Sequence, residues 1–373
     1  MKVTCDREKL LHAFQTAAGV APTRSPKQIL QNLKLDVGEQ GAVLMGTDLE
    51  VGIRMQVEGV ETEAAGSVLL PIARMASILR ESSDEKLELH NDGRKTLIRG
   101  QWSEFQLPSE NPDEFPIVAG FEAETYHQLP GPSFREIVRR TIFATDNESS
   151  RYALGGVLLE FEANKITAVA TDGRRLSTQE SPAEVIGDYT PSDMTPIVPT
   201  RAMQLLERAL AGSEEPIQVT TRENDILVRS SRATLYSRLV EGRFPKWRDV
   251  FPNRDDYIRI PLVVGPFLAA VRQAAIVTSE EHRGVDFVFN DGKVTLSGHG
   301  AEMGESQIEL PIEYDREEIG ITLDPRYVAD FLRVLESEAT FGLDVRNSAS
   351  AVVCSTDDGY GYVIMPLSRD QRG

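Results

Sequence analysis

The chain has 373 residues, a formal net charge of −18 and a sequence pI of about 4.8, with 40% hydrophobic and 26% charged residues. That is an ordinary globular composition, which excludes disordered and collagen-like classes, and at roughly 100–200 residues per domain it suits two to four domains better than one core. No apolar run approaches the ~20 residues of a bilayer span, because the best stretch, 260–271, is interrupted by Pro261, Gly265 and Pro266.

At the N-terminus, Met1-Lys2-Val3-Thr4-Cys5-Asp6 turns polar at once instead of opening a signal-peptide apolar region, which points to a cytoplasmic location. Cys5 and Cys354 stand at opposite ends of the chain and supply neither a disulfide framework nor a metal-ligand spacing, so they read as reduced structural thiols. Asn147-Glu148-Ser149 matches a glycosylation sequon, but carries no weight without a secretory signal.

The first amphipathic helix is expected over 6–18, with Leu10, Phe14 and Ala17 on one face. A strand pair follows, Leu33-Lys34-Leu35 and Val43-Leu44-Met45, ending in Thr47-Asp48. Val68-Leu69-Leu70-Pro71 leads into a second helix over 72–81, with Met75, Ile78 and Leu79 inward; Leu87 and Leu89 then mark a strand closed by the turn Asn91-Asp92-Gly93. A connector from Pro108 to Pro116 carries Phe115-Pro116.

The same series returns. A helix over 132–144 (Phe134, Val138, Thr141) precedes strands Val157-Leu158-Leu159 and Ile166-Thr167-Ala168 and the motif Thr171-Asp172-Gly173. Ile197-Val198-Pro199 enters a helix over 200–211 (Met203, Leu206), followed by alternating Ile217, Val219 and Thr221, the turn Asn224-Asp225 and a connector over 243–252 with Phe244-Pro245. The third pass has a helix over 266–277 (Phe267, Val271, Ala274), strands Phe287-Val288-Phe289 and Val294-Thr295-Leu296, and the small motif Ser297-Gly298. Ile321-Thr322-Leu323-Asp324-Pro325 opens a helix over 325–335 (Val328, Leu332), and alternating Phe341, Leu343 and Val345 precede Asn347-Ser348. Met365-Pro366-Leu367 stands where a third connector would begin.

Thr47, Thr171 and Ser297 lie 124 and 126 residues apart, so the chain reads as six half-repeats in three similar α+β domains, 1–122, 123–253 and 254–373. Alternation in the strands predicts antiparallel sheets with one buried and one wet face. The six helix windows together are net positive although the chain totals −18. A basic face segregated on an acidic body draws a polyanion to one surface only. Arg135, Arg139, Arg140, Arg201, Arg208, Arg272 and Arg333 are its candidates, each of which read alone is equally a solvated surface arginine.

At this point the chain resembles the beta subunit of bacterial DNA polymerase III, the sliding-clamp family. The resemblance spans essentially the whole chain. It rests on Gly46-Thr47-Asp48-Leu49-Glu50, Arg151-Tyr152-Ala153-Leu154-Gly155-Gly156, Ala170-Thr171-Asp172-Gly173-Arg174-Arg175-Leu176, Glu241-Gly242-Arg243-Phe244-Pro245, Arg283-Gly284-Val285 and Tyr362-Val363-Ile364-Met365-Pro366-Leu367, specific in combination and order. It implies a head-to-tail homodimer forming a six-domain ring around duplex DNA, with helices lining the hole and sheets outside. No cofactor, metal, membrane or catalytic activity is implied. A ring holds DNA topologically, so weak phosphate contacts suffice and permit sliding without sequence readout.

The resemblance adds Arg24 and Arg74 to the DNA-facing set. It also implies a pocket for short peptides of the replicative polymerase, the clamp loader and repair proteins, at Leu154, Thr171, Gly173, Arg174, Arg175, Leu176, Pro245, Val250, Val363, Met365, Pro366 and Leu367. Such an apolar slot with adaptable methionine and nearby arginines suits several ligands. At the ring contact it implies Phe105, Ile276 and Val277 as apolar positions, with Lys95 and Arg99 facing an acidic segment containing Glu302 and Glu305. Asp249, Ser368 and Glu104 stand where relatives often carry basic residues.

Two other classes compete. A metal-dependent nuclease would need Asp48, Asp172 and Glu160 to converge on a cation, yet the two aspartates occupy equivalent places in different repeats, where turn hydrogen bonding explains them. His12, His90, His127, His282 and His299 include no metal-spaced pair, and Gly298-His299-Gly300 reads as a turn. A clamp-like protein-binding scaffold without DNA association is separated from a DNA clamp by whether the helix arginines share a channel.

Overall fold

The computed structural model describes residues 1–22, 24–39, 41–146, 152–188, 195–212, 214–279, 283–300 and 303–367. The sequon at 147–149, Arg151, His282, Glu302, Ser368 and the tail 369–373 lie outside the described residues. Six helices are described: α1 (Arg7–Ala18), α2 (Ile72–Glu81), α3 (Gly131–Thr141), α4 (Thr200–Ala209), α5 (Val264–Ala274) and α6 (Pro325–Leu332). Local chemistry sets their starts. Asp6 caps α1 by accepting the Lys9 N–H at 3.0 Å, Asp324 caps α6 by accepting the Arg326 N–H at 3.0 Å, and α2 and α4 begin directly after extended Pro71 and Pro199. α3 and α5 stop short of the expected 144 and 277 because each tightens into a 3₁₀ turn, Ile142–Ala144 and Ala275–Val277. The buried faces are those expected: Leu10, Phe14 and Ala17; Phe134, Val138 and Thr141; Phe267, Val271 and Ala274. Among the described residues no helix is long and apolar enough to cross a membrane.

Contacts divide the chain into two compact units, 1–135 with 183–239, and 136–182 with 240–373. In the first, a five-stranded antiparallel sheet orders Val60–Ala64, Lys2–Asp6, Lys86–Asn91, Lys95–Arg99 and Glu104–Pro108. A nine-stranded sheet joins strands of the first and second repeats where Val51–Val57 pairs antiparallel with Ala233–Arg238, in the register Gly52↔Tyr236. α1 packs on α2 and on the strands Gly41–Thr47 and Val51–Val57.

In the second unit the strands Gly156–Phe161, Lys165–Thr171, Arg175–Pro182, Tyr360–Ile364, Val352–Ser355, Thr340–Val345 and Ile258–Val263 are neighbours in that order. Here too one ladder crosses from repeat to repeat, Arg175–Pro182 pairing with Tyr360–Ile364 in the register Leu176↔Val363 and Thr178↔Gly361. A four-stranded sheet orders Gly304–Pro311, Lys293–Gly300, Val285–Asn290 and Ile319–Leu323, and α5 packs on α6 and on Gly304–Pro311.

Three expectations fail in the third repeat. Ser297-Gly298 ends no strand, and Gly298-His299-Gly300 is no turn: all lie within the strand Lys293–Gly300, whose ladder to Gly304–Pro311 runs on to Gly300↔Gly304. Nor does Thr340–Val345 have a wet face. Gly342 lies beneath the Arg259 guanidinium and Asp344, only 4% exposed, is held by Arg254 at 3.1 Å and Arg259 at 3.4 Å. Cys5 and Cys354 are buried free thiols; burial pushes Cys5 up to about 12 and Cys354 upward as well, so neither is a thiolate at neutral pH.

The core of the third repeat centres on Phe331, fully buried, stacked on Tyr360 at 5.1 Å and Tyr362 at 5.4 Å and edge-on to Phe341. Phe331→Ala is expected to cost about 3–5 kcal/mol, read as a lower midpoint in urea denaturation. A midpoint within error of wild type would remove Phe331 from its central role.

Candidate functional site

The two Thr-Asp motifs form the same turn twice. In the first, Thr47 Oγ1 donates to Val51 O at 2.8 Å and accepts the Leu49 N–H at 2.9 Å, while Asp48 Oδ1 accepts the N–H groups of Glu50 and Val51 at 3.0 and 2.7 Å. In the second, Thr171 Oγ1 donates to Arg175 O at 2.6 Å and accepts the Gly173 N–H at 3.0 Å, while Asp172 Oδ1 accepts from Arg174 and Arg175 at 2.9 and 3.0 Å. The third residue of each turn is left-handed, Gly173 at φ 87° and Leu49 at φ 80°; only glycine takes that conformation without strain. Turn formation therefore explains both aspartates. Among the described residues no cluster of histidine, cysteine and acidic side chains could hold a metal.

Each turn launches a ladder to a later repeat with matching ends. Arg238 N donates to Glu50 O at 2.9 Å, as Met365 N donates to Arg174 O at 2.9 Å. A connector covers each ladder further on, two residues along in the first and four in the second. A methyl group added at Gly52 would lie 2.9 Å from Val118 Cγ1, and one at Gly361 would lie 3.3 Å from the Phe251 ring. The two junctions then diverge. In the first, Val118 presses on Gly52 and Glu50 faces Arg238 at 3.7 Å. In the second, Leu176 and Val363 make an apolar floor, Met365 (46% exposed) and Val250 (41% exposed) present apolar surface, and Arg174 is exposed.

The expected pocket residues thus share one unit. Thr171, Gly173, Arg174, Arg175 and Leu176 share the turn and strand that pair with Val363 and Met365, and Leu367 packs beside Gly284. Leu154 is buried where its carbonyl accepts the Asp146 N–H at 2.8 Å, and the segment leading to Pro245 passes Ala153 at Gly242. Val250 closes the 3₁₀ turn Trp247–Val250, which Glu160 pins by accepting from Trp247 Nε1 at 3.0 Å and from Arg248 at 3.0 and 2.7 Å. Arg175 is not free to meet a ligand. Its guanidinium bonds Asp172 at 3.0 Å, Asp330 at 2.7 Å and Phe143 O at 2.6 Å and lies over the Tyr327 ring.

The arginines expected to face DNA differ in their surroundings. Arg24, Arg74, Arg139, Arg208 and Arg272 are exposed without an ion pair, Arg333 is exposed and paired with Asp330 at 3.0 Å, and Arg201 is exposed but tied to Asp48 at 3.0 Å and Val20 O at 2.9 Å. Arg135 is half-buried, donating to Leu210 O and Glu214. Arg140 corrects the expectation. It is 6% exposed and bound to Glu136, Gln179 and Asp358 over the Tyr360 ring, so it fastens α3 to the last strands instead of facing a polyanion.

At the expected ring contact, Phe105 lies on Glu104–Pro108, an edge of its sheet, and Gly304–Pro311 is an edge of another. Phe105 (38% exposed) and Ile276 (71% exposed) present apolar surface, Val277 is half-buried, and Lys95 and Glu305 are exposed. Sequence reasoning missed Trp102 and Met303, 90% and 63% exposed beside these edges; a lone tryptophan in a polar segment was the available signal. Arg99 bonds its own neighbour Glu104 at 2.7 Å, so the acid that stands where a base is common occupies Arg99 within the chain.

Comparison with known proteins agrees over the full length. The DNA polymerase III beta subunit N-terminal domain matches residues 1–119, the central domain 128–246 and the C-terminal domain 248–368. The beta sliding clamp of Escherichia coli K12 is 30% identical over 372 residues, covering 98% of this chain and all of that protein. The Pseudomonas aeruginosa sliding clamp bound to griselimycin superposes with a TM-score of 0.89 at 26% identity over 99% of each chain, and the Bacillus subtilis clamp, at 23% identity over 99% of each, shares the fold with a TM-score of 0.90. The fold is that of the three-domain DNA clamps. The chain belongs to the DNA polymerase III beta subunit family.

Asp172→Ala strips the acceptor from two backbone N–H groups and is expected to destabilise the protein by about 1–3 kcal/mol in urea denaturation. Asp172→Asn keeps an acceptor and is expected to lose less. Equal losses would mean that the carboxylate charge, not the turn hydrogen bonds, is what matters.

Proposed function

We propose that two copies of this chain close head to tail into a ring around duplex DNA and act in the cytoplasm as a non-catalytic processivity factor. The ring tethers the replicative polymerase, the clamp loader and repair proteins through short peptides. Three domains per copy, meeting near residues 122 and 254, supply six around the ring. The observation that carries this reading is the full-length family match together with exposed helix arginines on a chain of net charge −18. An acidic body binds free DNA poorly, while a few cationic side chains lining a closed hole steady a duplex without reading it.

Protein loaded onto nicked circular DNA by its clamp loader is expected to survive a high-salt wash and to leave once the circle is cut. Loss from the intact circle at high salt would mean ordinary electrostatic binding and overturn the ring.

The peptide pocket we assign to Leu154, Thr171 to Leu176, Pro245, Val250 and Val363 to Leu367, with Arg174 as its accessible cation. Closure of the ring we assign to the edge strands Glu104–Pro108 and Gly304–Pro311, with Phe105, Trp102, Ile276 and Met303 as apolar anchors. Two symmetric contacts of this kind close a dimer. Replacing Phe105 and Ile276 together with aspartate is expected to give a monomer of 41.3 kDa by light scattering, against twice that for wild type. An unchanged dimer mass would place the contact elsewhere.

A further inference from the structure

We propose that the peptide pocket selects ligands by charge polarity, with Asp249 drawing a basic residue to one end of the apolar strip and Arg174 an acidic residue or carboxylate to the other. This rests on the peptide-pocket reading above. The strip has a definable length and direction. Alternation puts Gly361, Val363 and Met365 on one sheet face, with Thr178, Leu176 and Arg174 opposite them in register. Phe251 covers the Gly361 end and Arg174 stands at the Met365 end; Leu176 and Val363 between them are buried as the floor, and Val250 and Met365 are the exposed apolar side chains beside it. Four residues at ~3.3 Å each separate those ends by about 13 Å, the reach of an extended tetrapeptide.

The charges at the two ends differ in sign and in freedom. Arg248 is neutralised by its two-pronged pairing with Glu160, which together with Trp247 fixes the turn that carries Asp249 and Val250. Asp249 is exposed and engaged by no ion pair or side-chain hydrogen bond, and it adjoins the exposed Val250. Arg174 is exposed with its backbone committed to the turn and to Met365, and its guanidinium is likewise unpaired. Arg175, the other arginine of the motif, is consumed by Asp172 and Asp330. A peptide along the strip therefore meets an unpaired anion at one end and an unpaired cation at the other. Lys246 begins the same turn and is exposed, so the test must separate it from Asp249.

The test uses the full-length protein and calorimetric titration with a peptide from the polymerase C-terminus. Its apolar centre is held constant while the flanks are Lys and Glu, Glu and Lys, both Lys, or both Glu. One mixed-charge peptide is expected to bind about three- to fivefold tighter than its reverse, the scale of an exposed ion pair, with the gap closing at high salt. Asp249→Asn should remove the advantage of the basic flank and Asp249→Lys invert it, while Arg174→Ala should remove the advantage of the acidic flank. Both positions are exposed, so unchanged melting temperatures verify folding. Equal affinity for all four peptides would overturn the polarity and leave the pocket standing. Preference that survives Asp249→Asn but vanishes in Lys246→Ala would overturn the assignment to Asp249, and failure of every peptide to bind would overturn the pocket itself.

Discussion

The proposed peptide pocket hangs on an antiparallel ladder that passes from one repeat into the next. Where Arg175–Pro182 meets Tyr360–Ile364, strands about 180 residues apart in sequence hold a common register, so that Leu176 opposes Val363. A slip of one residue would turn Tyr360, Tyr362 and Ile364 away from Phe331 and drive Gly361 and Val363 into the aromatic core. The core of the third repeat and the apolar floor on the opposite face are thus fixed by one choice. Paired backbone also leaves few unsatisfied polar groups at the junction, where an irregular contact would expose them.

Repetition alone does not make a site. The junctions beginning at Thr47 and Thr171 share turn hydrogen bonds, left-handed third residue and the closing N–H to carbonyl bond. They part at a few side chains. Gly52 accepts Val118 and Glu50 faces Arg238, which fills one copy; Val250 and Met365 leave apolar surface on the other, above buried Leu176. Leu49 keeps a left-handed backbone that Gly173 adopts without strain, a residue of the shared origin of the two turns.

The repeat, the six helices and most strand pairs were legible from apolar spacing, because each element buries a regular face: Leu10, Phe14 and Ala17 need no tertiary context to be recognised. What failed required partners distant in sequence. Asp344 looked like a solvent-facing residue between Leu343 and Val345 until Arg254 and Arg259 closed over it. Arg140 sits at helical spacing beside Arg139, yet one is exposed and the other buried, since only Arg140 meets Asp358 and Tyr360. The pocket residues were named through resemblance to a family, and the spacing of Thr47 and Thr171 pointed to both junctions without saying which was open.

Charge completes the division of labour. A largely enclosed arginine is costly unless it finds acceptors, and each guanidinium nitrogen of Arg175 has one, in Asp172, Asp330 and Phe143 O. Such residues serve as fasteners and add nothing to the outer field. Arg24, Arg74, Arg139, Arg208 and Arg272, being unpaired and exposed, keep their full charge for solvent or a polyanion. A net charge of −18 around so few free cations favours contacts that are individually weak and salt-sensitive. Weakness of that kind suits a protein that must move along its ligand, since strong local binding would stop it; in the proposed ring, retention would fall to the closed shape.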